Sequence, residues 1–118
     1  MTYRSAIKTL CSLPIIWKSV SAIARKPGLI VLMYHRIGDS DGVFHGLDPS
    51  MFYQQMQWIK KNCRVINPIE LVETSKNPSR TRPPVLVTFD DGYKDFYDQA
   101  YPVLCELNIP AIVFLPTK

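Results

Sequence analysis

The sequence predicts an α/β fold on a parallel sheet, and two apolar runs together with the helical stretches between them predict it. In Val85-Leu86-Val87-Thr88-Phe89 nearly every side chain is apolar and three are β-branched, as in a strand covered on both faces. Leu29-Ile30-Val31-Leu32-Met33-Tyr34 has the same character and the same expected burial on both faces. Phe52, Met56 and Ile59, and later Phe96, Ala100, Val103, Leu104 and Leu107, recur at helical spacing. Helices of that kind are what cover such a sheet.

Residues 1–26 form a basic leader. Ile7, Leu10, Ile15, Ile16, Trp17, Val20 and Ile23 lie among scattered Lys and Arg, the pattern of one or two short amphipathic helices. Packing on the domain is favoured over lying at a membrane face, although a basic leader also suits peripheral contact with anionic lipid. Ala22-Ile23-Ala24 has the form of a signal-peptide cleavage site, but Ser12, Pro14 and Lys18 interrupt the apolar run before it. No stretch is long enough to span a bilayer as a helix. A cytoplasmic or membrane-associated location is therefore favoured over secretion.

Pro27-Gly28 ends the leader, and residues 27–118 read as one domain portion. The first strand ends on His35, which lines a pocket or supports a metal ligand, or else bonds a loop carbonyl at the rim. Arg36 is expected to pair with a nearby carboxylate. Residues 38–46 form a glycine-rich loop in which His45 reads as solvated. Asp48-Pro49 opens a helix, Asp as N-cap and Pro at the first helical position, and Lys60-Lys61-Asn62 closes it. Arg64-Val65-Ile66 reads as a short strand and Pro68 starts a short helix over residues 69–73. The polar stretch 77–82 is a surface loop, and Pro83-Pro84 stops any helix from entering the central strand. In the next helix Pro102 fits only near the start or at a kink, Asn108 suits a left-handed C-cap, and Pro110 ends it. Residues 111–115 are the last strand.

The chemistry is concentrated where the central strand ends, in Asp90-Asp91-Gly92-Tyr93. Ligands of α/β proteins sit beyond the carboxyl ends of the strands. Adjacent strand residues point to opposite faces, so two neighbouring acids converge only if the chain turns, which Gly92 permits. Two close carboxylates repel unless one is protonated or a cation lies beside them. A divalent metal on one would leave the other free as a base. The plainer alternative is that one of the two caps the following helix.

Thr88-Phe89-Asp90-Asp91-Gly92 resembles the first motif of the polysaccharide deacetylase family, the NodB-homology domain of family-four carbohydrate esterases. Tyr34-His35-Arg36-Ile37 resembles the opening strand of one branch of that family, and Ala111-Ile112-Val113-Phe114-Leu115 the strand after the motif. Asp95, Tyr97, Ala100, Pro102 and Leu104 also fall where the branch has such residues, so the resemblance runs over residues 29–115. It implies the front part of a distorted (β/α) barrel, truncated after about four strands, and hydrolysis of N- or O-acetyl groups on glycans, usually with a divalent metal such as zinc. It further implies Asp90 as catalytic base and Asp91 as metal ligand, with His35 and Tyr93 at the substrate or behind the metal ligands.

The family completes its metal site with two His from a His-(Ser/Thr)-x-x-His motif that follows the strand ending here near Leu115. The two histidines of this sequence, His35 and His45, lie upstream of that point, and residue 118 follows shortly after. Two expectations follow: a deacetylase present as its front part, or a truncated or degenerate chain without catalysis. Phosphoryl transfer through an Asp nucleophile is disfavoured. That chemistry usually places its second acid two residues on, and no phosphate-cradling glycine loop follows.

Composition agrees with a folded domain. The apolar fraction of 47% allows a core in 118 residues, about half of a barrel of some 200 residues or more. The net charge of +4 is modest and lacks the aromatic interleaving of a nucleic-acid binder. Cys11, Cys63 and Cys105 are odd in number and contain no Cys-x-x-Cys pair, so no zinc knuckle is expected. Cys63 and Cys105 fall in helical patterns, where a buried free thiol is the default.

Overall fold

The computed structural model describes residues 28–38, 45–76 and 82–117. The leader over 1–26 lies outside them, as does the middle of the loop after the first strand. The described chain runs β1 (Ile30–Tyr34), α1 (Pro49–Asn62), β2 (Arg64–Val65), a 3-10 turn (Pro68–Glu70), α2 (Leu71–Lys76), β3 (Pro84–Phe89), a π-helical turn (Phe96–Ala100), α3 (Tyr101–Leu107) and β4 (Ala111–Val113).

All strand pairs are parallel, and β3 is the centre of the sheet. β1 runs along one whole edge of it, from Ile30 opposite Val85 to Tyr34 opposite Phe89. The other edge is shared: β2 pairs with its start, at Pro84 and Val85, and β4 with its end, from Val87 to Phe89. Flanked on both edges, β3 is buried at all six positions. Its apolar composition on both faces is the sequence correlate of that placement.

One face of the sheet carries the core. Val85, Val87 and Phe89 pack with Phe52, Met56 and Ile59 of α1, with Ala100 and Leu104, and with Ile37 and Ile109. Phe89 lies at the hub of four rings, its centroid 4.7 Å from Phe96, 5.4 Å from Tyr34 and 5.9 Å from Phe52. Each buried ring of this size contributes about 1.5–3 kcal/mol by burial alone.

The helix ends follow their sequence signals. Asp48 accepts from the Ser50 and Met51 N–H groups, with Pro49 in the first turn of α1. The Ser50 hydroxyl and the Met51 N–H hold the Asp48 carboxyl below its ordinary value. Asn108 closes α3 at φ 51, ψ 50, with its N–H on the Cys105 and Leu104 carbonyls. Pro102 sits in the first turn of α3. Lacking an N–H, it cannot complete an α-turn there, and the chain enters α3 through a π-turn in which the Tyr101 N–H reaches the Phe96 carbonyl.

Three expectations are corrected. β1 is not covered on both faces, because Val31 and Met33 are 54% and 62% exposed. β1 is the edge of the described sheet, so only the side of Ile30, Leu32 and Tyr34 meets the core. Cys63 is buried, which pushes its thiol up, but it caps α1 in extended conformation, and Cys105 is exposed on α3. The last strand ends at Val113, with Phe114 donating one more ladder bond to Phe89 while its side chain and Leu115 are exposed.

Tyr34 gives the fold a pH limit. Its hydroxyl donates to Gln55 Oε1 at 2.9 Å, and burial pushes its pKa up to about 12. The folded state prefers the protonated phenol. That stability is intact below the unfolded value near 10 and is lost as pH rises toward about 12. Chemical-denaturation midpoints should fall over that window, by at most about 1.4 kcal/mol per pH unit from this group. Tyr34→Phe should flatten the fall.

Candidate functional site

The register of β1 on β3 builds the site. Tyr34 stands opposite Phe89, so the next residues, His35 and Asp90, leave the sheet side by side. The Asp90 N–H closes the ladder on the Tyr34 carbonyl at 2.9 Å. Their side chains meet at the rim, His35 Nε2 3.7 Å from Asp90 Oδ2, with side chains 50% and 29% exposed. This is the carboxyl end of the sheet, where α/β proteins place ligands.

The chain turns immediately after Asp90. Asp91 has φ 68 and Gly92 φ 58, two left-handed residues in succession. Asp tolerates this conformation better than most residues, and the bend starts one position before the glycine that signalled it. Asp91 is exposed. Gly92 has a second constraint: a Cβ there would run into Leu115 Cδ2. Gly92→Ala should cost about 1–2 kcal/mol for the left-handed backbone, plus displacement of Leu115, read as a lowered melting temperature. Helix capping does not occupy the acids. Asp95 stands before the π-turn, and even its side chain makes no capping bond.

Asp95 instead pairs with Arg36, whose Nε donates to Asp95 Oδ2, the two side chains being 13% and 2% exposed. The Arg36 guanidinium also lies over the Tyr93 ring, 4.4 Å from its centroid. Tyr93 is itself 42% exposed. Beside this group opens a cleft of about 580 Å³, lined by His35, Arg36, His45, Gln55 and Tyr93 among others. His35 thus belongs to both the cleft and the Asp90 contact.

The structure therefore brings three of the four expected site residues, His35, Asp90 and Tyr93, to one rim, with Asp91 turned outward beside them. His45, read as a solvated loop residue, is exposed but shares the cleft with His35. Gln55 was missed. The available signal was a polar residue between Phe52 and Met56, on the side of α1 that faces the sheet. The partner of Arg36 was also unnamed in the sequence, because Asp95 lies 59 positions away.

The donors for a metal are sparse. Among the described residues no group of three or more His, Cys, Asp or Glu side chains is placed to hold an ion. Asp91 is one carboxylate, and a catalytic zinc takes three protein ligands. The described residues thus do not by themselves make up a metal centre.

Comparison with known proteins bears on the fold that carries this rim. Residues 77–118 match the model of the polysaccharide deacetylase family. YxkH of Bacillus subtilis, named as a candidate polysaccharide deacetylase, is 33% identical over 106 residues, 86% of this chain and 36% of its own. The poly-β-1,6-N-acetyl-D-glucosamine N-deacetylase of Staphylococcus epidermidis is 30% identical over 111 residues, 79% of this chain and 37% of its own. The solved structure of IcaB from Ammonifex degensii superposes with a TM-score of 0.66 at 32% identity, over 77% of this chain and 39% of that one. The chain thus spans little more than a third of the length of these three proteins. Over that span, with the acid-bearing strand at its centre, it is similar to the polysaccharide deacetylases and has the corresponding part of their (β/α) barrel fold.

Proposed function

We propose that residues 27–118 carry the acid–base side of a hydrolase site that removes acetyl groups from N-acetylated glycans, O-acetyl esters being the alternative substrate. The observation that carries this reading is the His35–Asp90 contact at 3.7 Å on the strand-end rim, beside an open cleft that His35 also lines. Hydrolysis of an amide needs a base to take a proton from water as it attacks the carbonyl, and an acid to protonate the departing nitrogen. Asp90 takes the water proton as the C–O bond forms. His35, across the rim, returns a proton to the amine as the C–N bond breaks, leaving acetate and a free amino sugar. Tyr93 and the cleft hold the sugar. Asp91 offers a divalent metal one carboxylate, where a catalytic zinc takes three protein ligands.

Support for a glycan substrate comes from the named activity of the Staphylococcus epidermidis relative. Acetate release from an N-acetylglucosamine oligosaccharide, with and without added zinc, is the test. No release under either condition, from protein with a cooperative melt, would sink the reading for this chain.

A second reading, a chain that does not catalyse, is favoured by the sparse donor set among the described residues. Calorimetry with zinc separates the two, since micromolar binding lost in Asp91→Asn would count against it. Any peripheral membrane contact falls to the basic leader over 1–26. Among the described residues no helix is long and apolar enough to cross a membrane.

A further inference from the structure

We propose that the Arg36–Asp95 ion pair, roofed by Tyr93, is a positioning clamp that sets the distance and angle between His35 and the Asp90–Asp91 turn. The catalytic meaning of this inference rests on the deacetylase reading; its geometry does not.

Connectivity is the first argument. Arg36 follows His35 directly, and Asp95 follows Asp91 by four residues, so the pair ties the exit of β1 to the exit of β3 just past the two reacting groups. The sheet ladder ends at the Asp90 N–H, and beyond it no β1–β3 backbone bond is left to hold the two exits together. Tyr93, between the turn and Asp95, closes the loop by stacking on the guanidinium at 4.4 Å.

Energetics is the second. Both partners are largely out of water, at 13% and 2% exposure, and Asp95 Oδ1 is buried with no hydrogen-bond partner among the described residues. A buried carboxylate with one oxygen unsatisfied is a poor stabilising device, and well-packed apolar side chains of similar volume often do as well or better. What apolar side chains cannot supply is a directional contact. The planar guanidinium fixes the carboxylate on its edge and the ring on its face at once. The pair is thus poorly suited to stabilise and well suited to orient.

Asp95 also stands at the mouth of the π-turn, whose extra residue per turn shifts the helix register just after it. The clamp and the π-turn together decide where the Asp90–Gly92 bend sits relative to the helix.

Arg36→Met with Asp95→Leu is the test, with amide proton–nitrogen correlation spectra and thermal melts as readouts. Tyr53→Phe is the control, because it removes a hydrogen bond between α1 and α3, Tyr53 to Glu106 at 2.7 Å, without touching the pair. The double variant should melt cooperatively at or near the parent temperature while the amides of His35, Asp90, Asp91 and Gly92 shift or broaden well beyond their change in the control. Rim amides that coincide with the parent's would overturn the proposal. Should the double variant not fold, Arg36→Lys takes its place, since it keeps the charge and loses fork and stacking; the same amides must move, and their staying put overturns the proposal. Where acetate release is measurable, kcat should fall with KM nearly unchanged. A parent protein that releases no acetate removes the deacetylase reading and leaves the spectral test standing.

Discussion

Asp95→Ala should lower stability by about 3 kcal/mol. The cause is the partner left behind. Arg36 stays largely out of water, its side chain 13% exposed, and loses the carboxylate on its Nε. Breaking a buried pair from one side typically costs about 3–5 kcal/mol, and the stacking of Arg36 on Tyr93 keeps this case at the low end. Against a total of about 5–15 kcal/mol that is a large share. The melting temperature should fall by roughly 10 °C. Replacing both partners with apolar residues should recover most of that loss. A drop under about 1 kcal/mol in Asp95→Ala would mean that the carboxylate is not the main counter-charge of Arg36.

Asp90→Asn should lower the rate of acetate release by about two to four orders of magnitude, in any preparation of this protein that releases it, with little change in melting temperature. The amide keeps the shape and the polar surface of the carboxylate. It cannot accept the proton that attacking water must lose. Stability is little affected because Asp90 is a rim residue whose backbone N–H, not its side chain, closes the ladder on Tyr34. His35→Gln should reduce the same rate by removing the proton returned to the amine. A rate in Asp90→Asn equal to the parent's would remove Asp90 as base.

Much of this architecture was legible in the residues alone because the signals are local. The β3 run reads as a strand buried on both faces since it lies at the centre of the sheet, and all six of its positions are covered. The same reasoning failed for β1, whose composition is equally apolar. Burial of its second face depends on what lies beyond the strand, and Val31 and Met33 are open. Caps are local too, and Asp48 and Asn108 behave as their positions require. Cys105 shows the opposite: a helical pattern gives spacing, and which face turns inward is set by packing.

By itself, then, the sequence determined the parallel α/β character, the strand that ends on Asp90 and Asp91, the caps at Asp48 and Asn108 and the family that the motif resembles. Each of these rests on backbone chemistry acting over a few residues. The tertiary structure alone decided that His35 faces Asp90, that Arg36 finds Asp95 and lies over Tyr93, and that His45 and Gln55 border the same cleft. Those pairings are between residues far apart in the chain. They exist because one register of β1 on β3 brings two strand exits abreast, and that register is a property of the packed sheet.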